Sequence, residues 1–440
     1  MLDEAKRQRD VARDIFLRAL KATTVAAAVE RGVRCEQNTL LIAERAYDLG
    51  RYSEVCIVSI GKAGATMFDA IDALLPPVLK RSAVVSAPAS PQRMSSDVQY
   101  FCGGHPEPNA ASVAAARAAV DAVTRCADDA LVLFLISGGA SAMFELPLSD
   151  SITLDDVVLL NRLLIGSGAS IAEVNCVRKH LSRVKGGRLA ALAGAREKIT
   201  LLVSDVPDNA LDALGSGPSL PDSSTVADCL EILARYSLRE RLPASIVRCI
   251  ERGLEETPKA AHFAFRNATT AVLLGNSTFL EEAARAAIAM GYSVHVDCSC
   301  DDWDYEDAAK YLLSELDGLR ESGNKICLLS GGEVTVRLPE VHGVGGRNLQ
   351  FCLYCAAGGL GPGTAVLSAG TDGVDGNSEA AGAVVDFTTE LRGAELGMEI
   401  DAYLRGFDAY RYLAPLGYVI ATGPTGNNLR DVRILLWEEI

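Results

Sequence analysis

The chain has 440 residues, of which 49% are hydrophobic and 22% charged. That is enough for two or three domains with their own cores, and it excludes a mostly disordered polypeptide. Lysine and arginine total 42 against 57 aspartates and glutamates, a net charge of −15, so the basic face of a nucleic-acid scaffold is not expected. In chain order, residues 3–30 read as helix, with Val11, Ile15 and Ala19 at i, i+4 spacing. Strands are predicted at 55–60, 83–86, 131–136 and 199–204, with helices at 110–126, 154–165 and 171–193 between them. Residues 252–266 are polar, contain Pro258 and show no period, so the domain boundary is placed there: 1–260 and 261–440. The second part restarts with strands at 270–274, 293–296, 326–329 and 365–368, and helices at 279–290, 307–320 and 348–357. This alternation is the pattern of an α/β protein with parallel sheets.

No apolar run approaches the ~20 residues of a membrane span. The opening MLDEAKRQRDVARD carries both signs of charge and no apolar signal core. An acidic cytoplasmic protein, with neither membrane nor nucleic acid as partner, is therefore expected. Twelve cysteines are present, several inside apolar stretches (Cys56, Cys176, Cys327, Cys352), where a free thiol packs as a small hydrophobe. Cys298-x-Cys300 and Cys352-x-x-Cys355 lack the second pair or spaced histidines of a zinc site. Reduced thiols are expected.

Six strands end in a small or polar turn: Ser59-Ile-Gly-Lys62, Ser137-Gly-Gly139, Ser204-Asp-Val-Pro207, Gly275-Asn-Ser277, Ser330-Gly-Gly-Glu333 and Ser368-Ala-Gly-Thr-Asp372. Open α/β sheets bind ligands beyond the carboxyl ends of their strands. One such turn is an ordinary connection; six point to recognition of phosphate or carboxylate. No G-x-x-x-x-G-K-[ST], G-x-G-x-x-G, protein-kinase set or G-x-S-x-G elbow occurs.

Lys62 follows a strand and precedes a helix N-terminus, so an anion there meets two positive partners; the ordinary alternative is a solvated loop lysine. Lysines number ten against thirty-two arginines, which makes a lysine in a glycine turn informative. Arg347, in Gly345-Gly-Arg-Asn348, offers a planar fork for a transferring phosphoryl group, or else merely begins a helix. Asp205, Asp372 and Asp375 follow apolar strands and suit Mg²⁺ or a hydroxyl proton. Asp372 and Asp375 suit plain turns equally well. His105 and His180 are cleft candidates or structural histidines. Arg178-Lys-His180 and Arg183-x-Lys185-Gly-Gly-Arg188 form a basic cluster that reads most simply as a solvated helix face.

Taken in order, the motifs resemble the glycerate 2-kinases of the MOFRL-containing type over nearly the whole chain. The resemblance rests on Ser59-Ile-Gly-Lys-Ala63, Gly104-His-Pro-Glu-Pro108, Leu135-Ile-Ser-Gly-Gly-Ala-Ser-Ala142, Asn175-x-Val-Arg-Lys-His-Leu-Ser182, Lys185-Gly-Gly-Arg188, Ser204-Asp-Val-Pro207 and Gly215-Ser-Gly-Pro218. It continues through Ser330-Gly-Gly-Glu333, Gly345-Gly-Arg-Asn348, Gly370-Thr-Asp-Gly-Val-Asp-Gly376 and Thr422-Gly-Pro-Thr-Gly-Asn427. It implies a larger Rossmann-like N-terminal domain and a smaller C-terminal α/β domain, with the site in the cleft between them. It further implies transfer of phosphate from ATP, with Mg²⁺, to the 2-hydroxyl of D-glycerate. Lys62, Arg347, Asp205 and Asp372 match the family's important residues, with Asp205 and Asp372 as metal ligands. Gly61, Ser137, Gly138, Gly139, Ser141, His105, Lys185, Gly331, Gly332, Glu333, Gly346 and Asn348 are the expected substrate- and nucleotide-binding set. A small hydroxy-acid and a nucleotide are the expected partners, and a homodimer is compatible with the reading.

The chain departs from the family pattern at Ala140 (for glycine), Asp208-Asn209, Val344, Leu349, Asn109 and Asn377-Ser378-Glu379. The methyl of Ala140 is expected to narrow the approach of a ligand. Two other readings are a hydroxypyruvate reductase, against which the missing dinucleotide fingerprint counts, and a kinase-like protein that binds an acidic metabolite.

Overall fold

The computed structural model describes residues 2–439, which divide into two compact units. One spans Val25–Leu273 and the other combines the residues up to Thr24 with those from Leu274 on. The helix expected over 3–30 is two helices, Leu2–Ala22 and Val25–Gly32. The break falls at Thr23-Thr24, where the Thr23 hydroxyl donates to the Ala19 carbonyl (2.8 Å), and the unit boundary falls at the same place.

The Val25–Leu273 unit begins with an antiparallel meander of β1 (Val33–Glu36), β2 (Thr39–Ile42) and β3 (Arg45–Asp48), none of which the sequence reading located. Its main sheet contains β4 (Glu54–Ile60), β5 (Lys80–Ser86), β6 (Val98–Phe101), β7 (Leu131–Ser137), β8 (Glu197–Val203) and β9 (Ala268–Leu274), in the spatial order 6-5-4-7-8-9. From β6 to β8 the neighbours pair in parallel. Every residue of β4 and β7 is buried, as expected of parallel strands covered on both faces. The chain moves outward from β4 to β6 and then returns to place β7 on the other side of β4. The β4/β7 junction is thus a topological switch point, where ligands of open α/β sheets bind. A separate helical core packs Leu160, Leu164, Val177, Cys229 and Ile246.

Two expectations need correction. The helix placed over 171–193 is two, Ile171–His180 and Arg188–Leu192, and Gly186 and Gly187, at φ of 57° and 78°, form the turn that leads into the second. Residues 252–266 are also no loose linker. Thr257 is buried and donates to Asp222 (2.8 Å), whose own N–H bonds to the Pro258 carbonyl (3.1 Å). The strand after this segment, β9, joins the first sheet rather than opening the second.

The second unit carries a mixed sheet of β10 (Ser293–Val296), β11 (Lys325–Gly331), β12 (Thr364–Gly370), β13 (Gly382–Asp386), β14 (Val419–Ile420) and β15 (Asp431–Glu438), ordered 10-11-15-12-13-14. Among the described residues of this sheet only β10 and β11 are paired in parallel; β15 runs antiparallel to both β11 and β12. The start of β15 therefore lies beside the ends of β11 and β12, with Val432 opposite Gly331 and Asp431 opposite Gly370. The Leu2–Ala22 helix buries Ala5, Ala12, Ile15, Phe16 and Ala19 in this unit, and Phe16 meets Phe279 at 5.6 Å between ring centroids. Gln8 donates to the Gly363 carbonyl (2.7 Å).

All twelve cysteines are free thiols, eight of them buried. Among the described residues no three acidic, cysteine or histidine side chains gather as a metal cage, and no helix is long and apolar enough to cross a membrane.

Candidate functional site

At the β4/β7 switch point the turn after β4 is fixed from three sides. Gly61 donates to the Ser86 carbonyl (3.0 Å), Lys62 to the Gly138 carbonyl (2.8 Å) and Ala63 to the Ser137 hydroxyl (3.0 Å). Gly61 sits at φ 114°, and a Cβ there would stand 2.4 Å from the Ser137 carbonyl oxygen, so only glycine fits. The helix Gly64–Leu74 follows with no side-chain cap, which leaves the positive end of its dipole beside the exposed Lys62. A Cβ on Gly139 would meet His105 Cδ2 at 3.0 Å and Lys62 Cγ at 3.2 Å, and one on Gly138 would meet Asp205 Oδ2 at 2.1 Å. Lys62, His105 and Asp205, drawn from three separate loops, therefore converge on the Gly138-Gly139 backbone. Partial desolvation, and then the Lys62 ammonium, lower the His105 pKa and favour a neutral imidazole.

Ser141 and Ser216 share a hydrogen bond (2.8 Å), and Ser216 donates to Asn175 (3.0 Å). Two motifs distant in sequence are thereby tied to the turn after β7. The Ala140 methyl does not narrow the approach as expected. Ala140 is 1% exposed and belongs to the apolar core, where it lies against Gly215.

The basic cluster is not a solvated face. Lys179 is buried against Asp212 (2.7 Å) and Asp222 (3.0 Å). His180 is fully buried, with Nδ1 2.8 Å from the Cys176 carbonyl. Lys185, expected to bind a ligand, is buried and ion-paired with buried Glu145. Burial lowers its pKa and the glutamate opposes that shift. It organises the interior and presents no charge to a ligand.

In the second unit Arg347 opens the helix Arg347–Ala357. Its Nε and Nη2 donate to Asp431 (2.5 and 3.2 Å), and Nη2 also pairs with Glu333 (2.9 Å). Burial lowers the Arg347 pKa, but these two carboxylates outweigh it and raise the value overall. Burial raises the Glu333 pKa. Asp372 is half-buried and accepts from the Val374 N–H (3.2 Å). Arg347, Asp372, Gly345, Gly346, Gln350 and Phe407 line a cleft of about 710 Å³.

Two of the N–H groups at this helix start are already taken. Buried Asp375 accepts from the Asn348 and Leu349 N–H groups (3.1 and 2.8 Å) and from Asn348 Nδ2 (3.2 Å). Asn348 is 1% exposed and also accepts from Ser368, so it is structural and not a ligand contact. Burial pushes the Asp375 carboxyl up to about 6. Gly331 and Gly332 are buried too, packed against Asn276 and Asp301. Asn377 accepts from the Gly345 N–H (2.8 Å) and donates to the Gly343 carbonyl (3.2 Å), and Leu349 enters the core, so those two departures have local packing reasons.

Sequence reasoning missed Asp431 and Arg433 because it missed β15, and with them Arg430, just before that strand, and its partner Asp301 in the loop after β10. The signal was an apolar run, Ile434-Leu-Leu-Trp437, preceded by Arg430-Asp-Val-Arg433.

Residues 11–251 match the model of a domain of unknown function, DUF4147, and residues 326–431 match the MOFRL family. A glycerate 2-kinase of Pyrococcus horikoshii is 32% identical over 96% of this chain and 97% of its own length. A D-glycerate 2-kinase of Thermotoga maritima is 34% identical over 86% of this chain and 90% of its own. The crystal structure of a glycerate kinase from Thermotoga maritima superposes with a TM-score of 0.84 at 31% identity, covering 98% of this chain and 100% of that one.

Proposed function

The chain belongs to the glycerate kinase family with a MOFRL domain, and on that premise we propose that it transfers the terminal phosphoryl group of ATP to the 2-hydroxyl of D-glycerate. The observation that carries the reading is the gathering of Lys62, His105 and Asp205 around the Gly138-Gly139 backbone at the switch point. Phosphoryl transfer asks a protein mainly to position reactants and neutralise charge. Lys62 and the uncapped start of the Gly64–Leu74 helix neutralise phosphate oxygens. Asp205, beside them, orients the acceptor hydroxyl and receives its proton. In the other unit, Arg347 offers a cation to a phosphate or carboxylate group.

Mg²⁺ fits this donor set in its usual nucleotide-bound form, which needs one or two carboxylates and completes its shell with phosphates and water. Asp205 in the Val25–Leu273 unit, or Asp372 in the other, is the carboxylate that would hold it. Its contribution would be to offset charge on the phosphates.

The test is ADP release with D-glycerate, with the product's phosphorylated carbon assigned by NMR. Arg347→Ala should lower kcat by about 10³-fold, the scale on which an arginine stabilises a transferring phosphoryl group. Its circular dichroism should match the parent. Wild-type kcat in this variant, or NADH oxidation by hydroxypyruvate without ATP, would defeat the reading.

A further inference from the structure

We propose that Asp431, at the start of β15, is a positioning residue that acts through Arg347; the inference rests on the kinase reading above. Asp431 is 2% exposed, so it does not itself meet a substrate, yet both its oxygens face the Arg347 guanidinium, at 2.5 and 3.2 Å. Among the described residues Arg347 contacts Asp431 twice and Glu333 once, through Nε and Nη2, which leaves Nη1 for a ligand. A carboxylate gripping the side edge of a guanidinium fixes the direction of its far edge.

Asp431 is itself held firmly. It pairs in register with Gly370, and Asn276 Nδ2 donates to its carbonyl (3.1 Å) and to that of Leu429 (2.7 Å). A Cβ on Gly370 would come within 3.3 Å of Asp431 Oδ1 and 3.0 Å of Asp372 Oδ1, so the bare glycine lets both carboxylates crowd one turn. The flanking residues secure the other side of Arg347. Arg430 forks onto Asp301 with two contacts of 2.7 Å, and Asp301 accepts the Glu333 N–H (2.9 Å). Buried Arg433 donates to the Gly331 and Gly332 carbonyls (3.0 and 3.1 Å). One short stretch of β15 thus sets both the guanidinium and the Gly331–Glu333 turn that touches it. Glu333, with 31% of its side chain exposed, is the contact that an arriving anion can displace; Asp431 is the permanent one.

The experiment is a double-mutant cycle in kcat, by ADP release with D-glycerate, on Asp431→Asn, Arg347→Ala and the pair, with thermal melts alongside. In the parent background Asp431→Asn should lower kcat by about 10- to 100-fold, the usual effect of a supporting partner. In the Arg347→Ala background the same change should cost less than about threefold, because the group it orients is gone. Equal losses in both backgrounds, or none in the parent, would overturn the proposal. Should Asp431→Asn fail to fold, Asp431→Glu takes its place; it keeps the charge, shifts the oxygens, and should give a partial loss with the same dependence on Arg347. Wild-type kcat in Arg347→Ala would instead bring down the kinase reading and this inference with it, an outcome distinct from equal losses.

Discussion

Replacing Gly138 by alanine places one methyl group against one carboxylate. The new Cβ would stand 2.1 Å from Asp205 Oδ2 and 2.8 Å from its Cγ, closer than the 3.0 Å that real Cβ atoms respect. The obstacle is the end of a side chain, so the carboxylate can retreat by about 1 Å without moving a strand. Gly138 has no positive φ to lose, and the structural cost should be small. A 1 Å misplacement in a reacting constellation costs about 10²-fold in rate, or about 2.7 kcal/mol of barrier. Gly138→Ala should therefore lower kcat for ADP release by about 10²-fold while its melting temperature stays near the parent's. Gly61→Ala is the contrast: there the clash is with backbone at 2.4 Å and φ is 114°, so stability and activity should fall together. Parental kcat in a well-folded Gly138→Ala protein would mean that the position of Asp205 does not matter, and its role as acceptor of the hydroxyl proton would have to be abandoned.

Two further outcomes concern the interior. Lys185→Met leaves Glu145 buried without its partner and should cost about 3–5 kcal/mol in urea unfolding, most of it recovered in Lys185→Met/Glu145→Leu. Recovery of none of it would show that the pair is not an isolated unit. Buried Lys198 donates to the Gly194 and Arg196 carbonyls (2.7 Å each), and burial, then Arg196, lower its pKa to about 8. Below its unfolded value of about 10.4, the unfolded chain binds the proton more readily than the native one. Stability from this group is thus full above about 10.4 and lost as pH falls towards 8. Unfolding free energies of Lys198→Met, followed from pH 8 to 10.5, should lack the upward slope that the parent shows; identical slopes would refute the assignment.

The parallel half of the fold was legible because its strands are continuous apolar runs closed by small turns: β4, β5, β7 and β8 were each located to within a few residues. Short or half-exposed strands such as β1, β3 and β6 carry no such contrast with their surroundings. The last strand, β15, was lost because an aspartate and an arginine interrupt its start, although Asp431 and Arg433 are both buried. The same blindness affected the candidate site. Charges in glycine turns stood out, whereas the buried charges behind them are recognisable only from what they touch. Lys185 and Asn348 were misjudged for the converse reason, since a motif gives residue types and spacing but not depth.

The leading helix has a bearing on how the polypeptide matures. Leu2–Ala22 is made before the Val25–Leu273 unit, yet its packing partners in β12, β13 and β15 are made only after some 250 residues of that unit have been synthesised. Until then Ile15 and Phe16 have no permanent cover, so this unit can complete its core only once the other has been synthesised. A recombinant fragment cut at residue 261 would lack that helix and would leave the sheet face it covers open to aggregation.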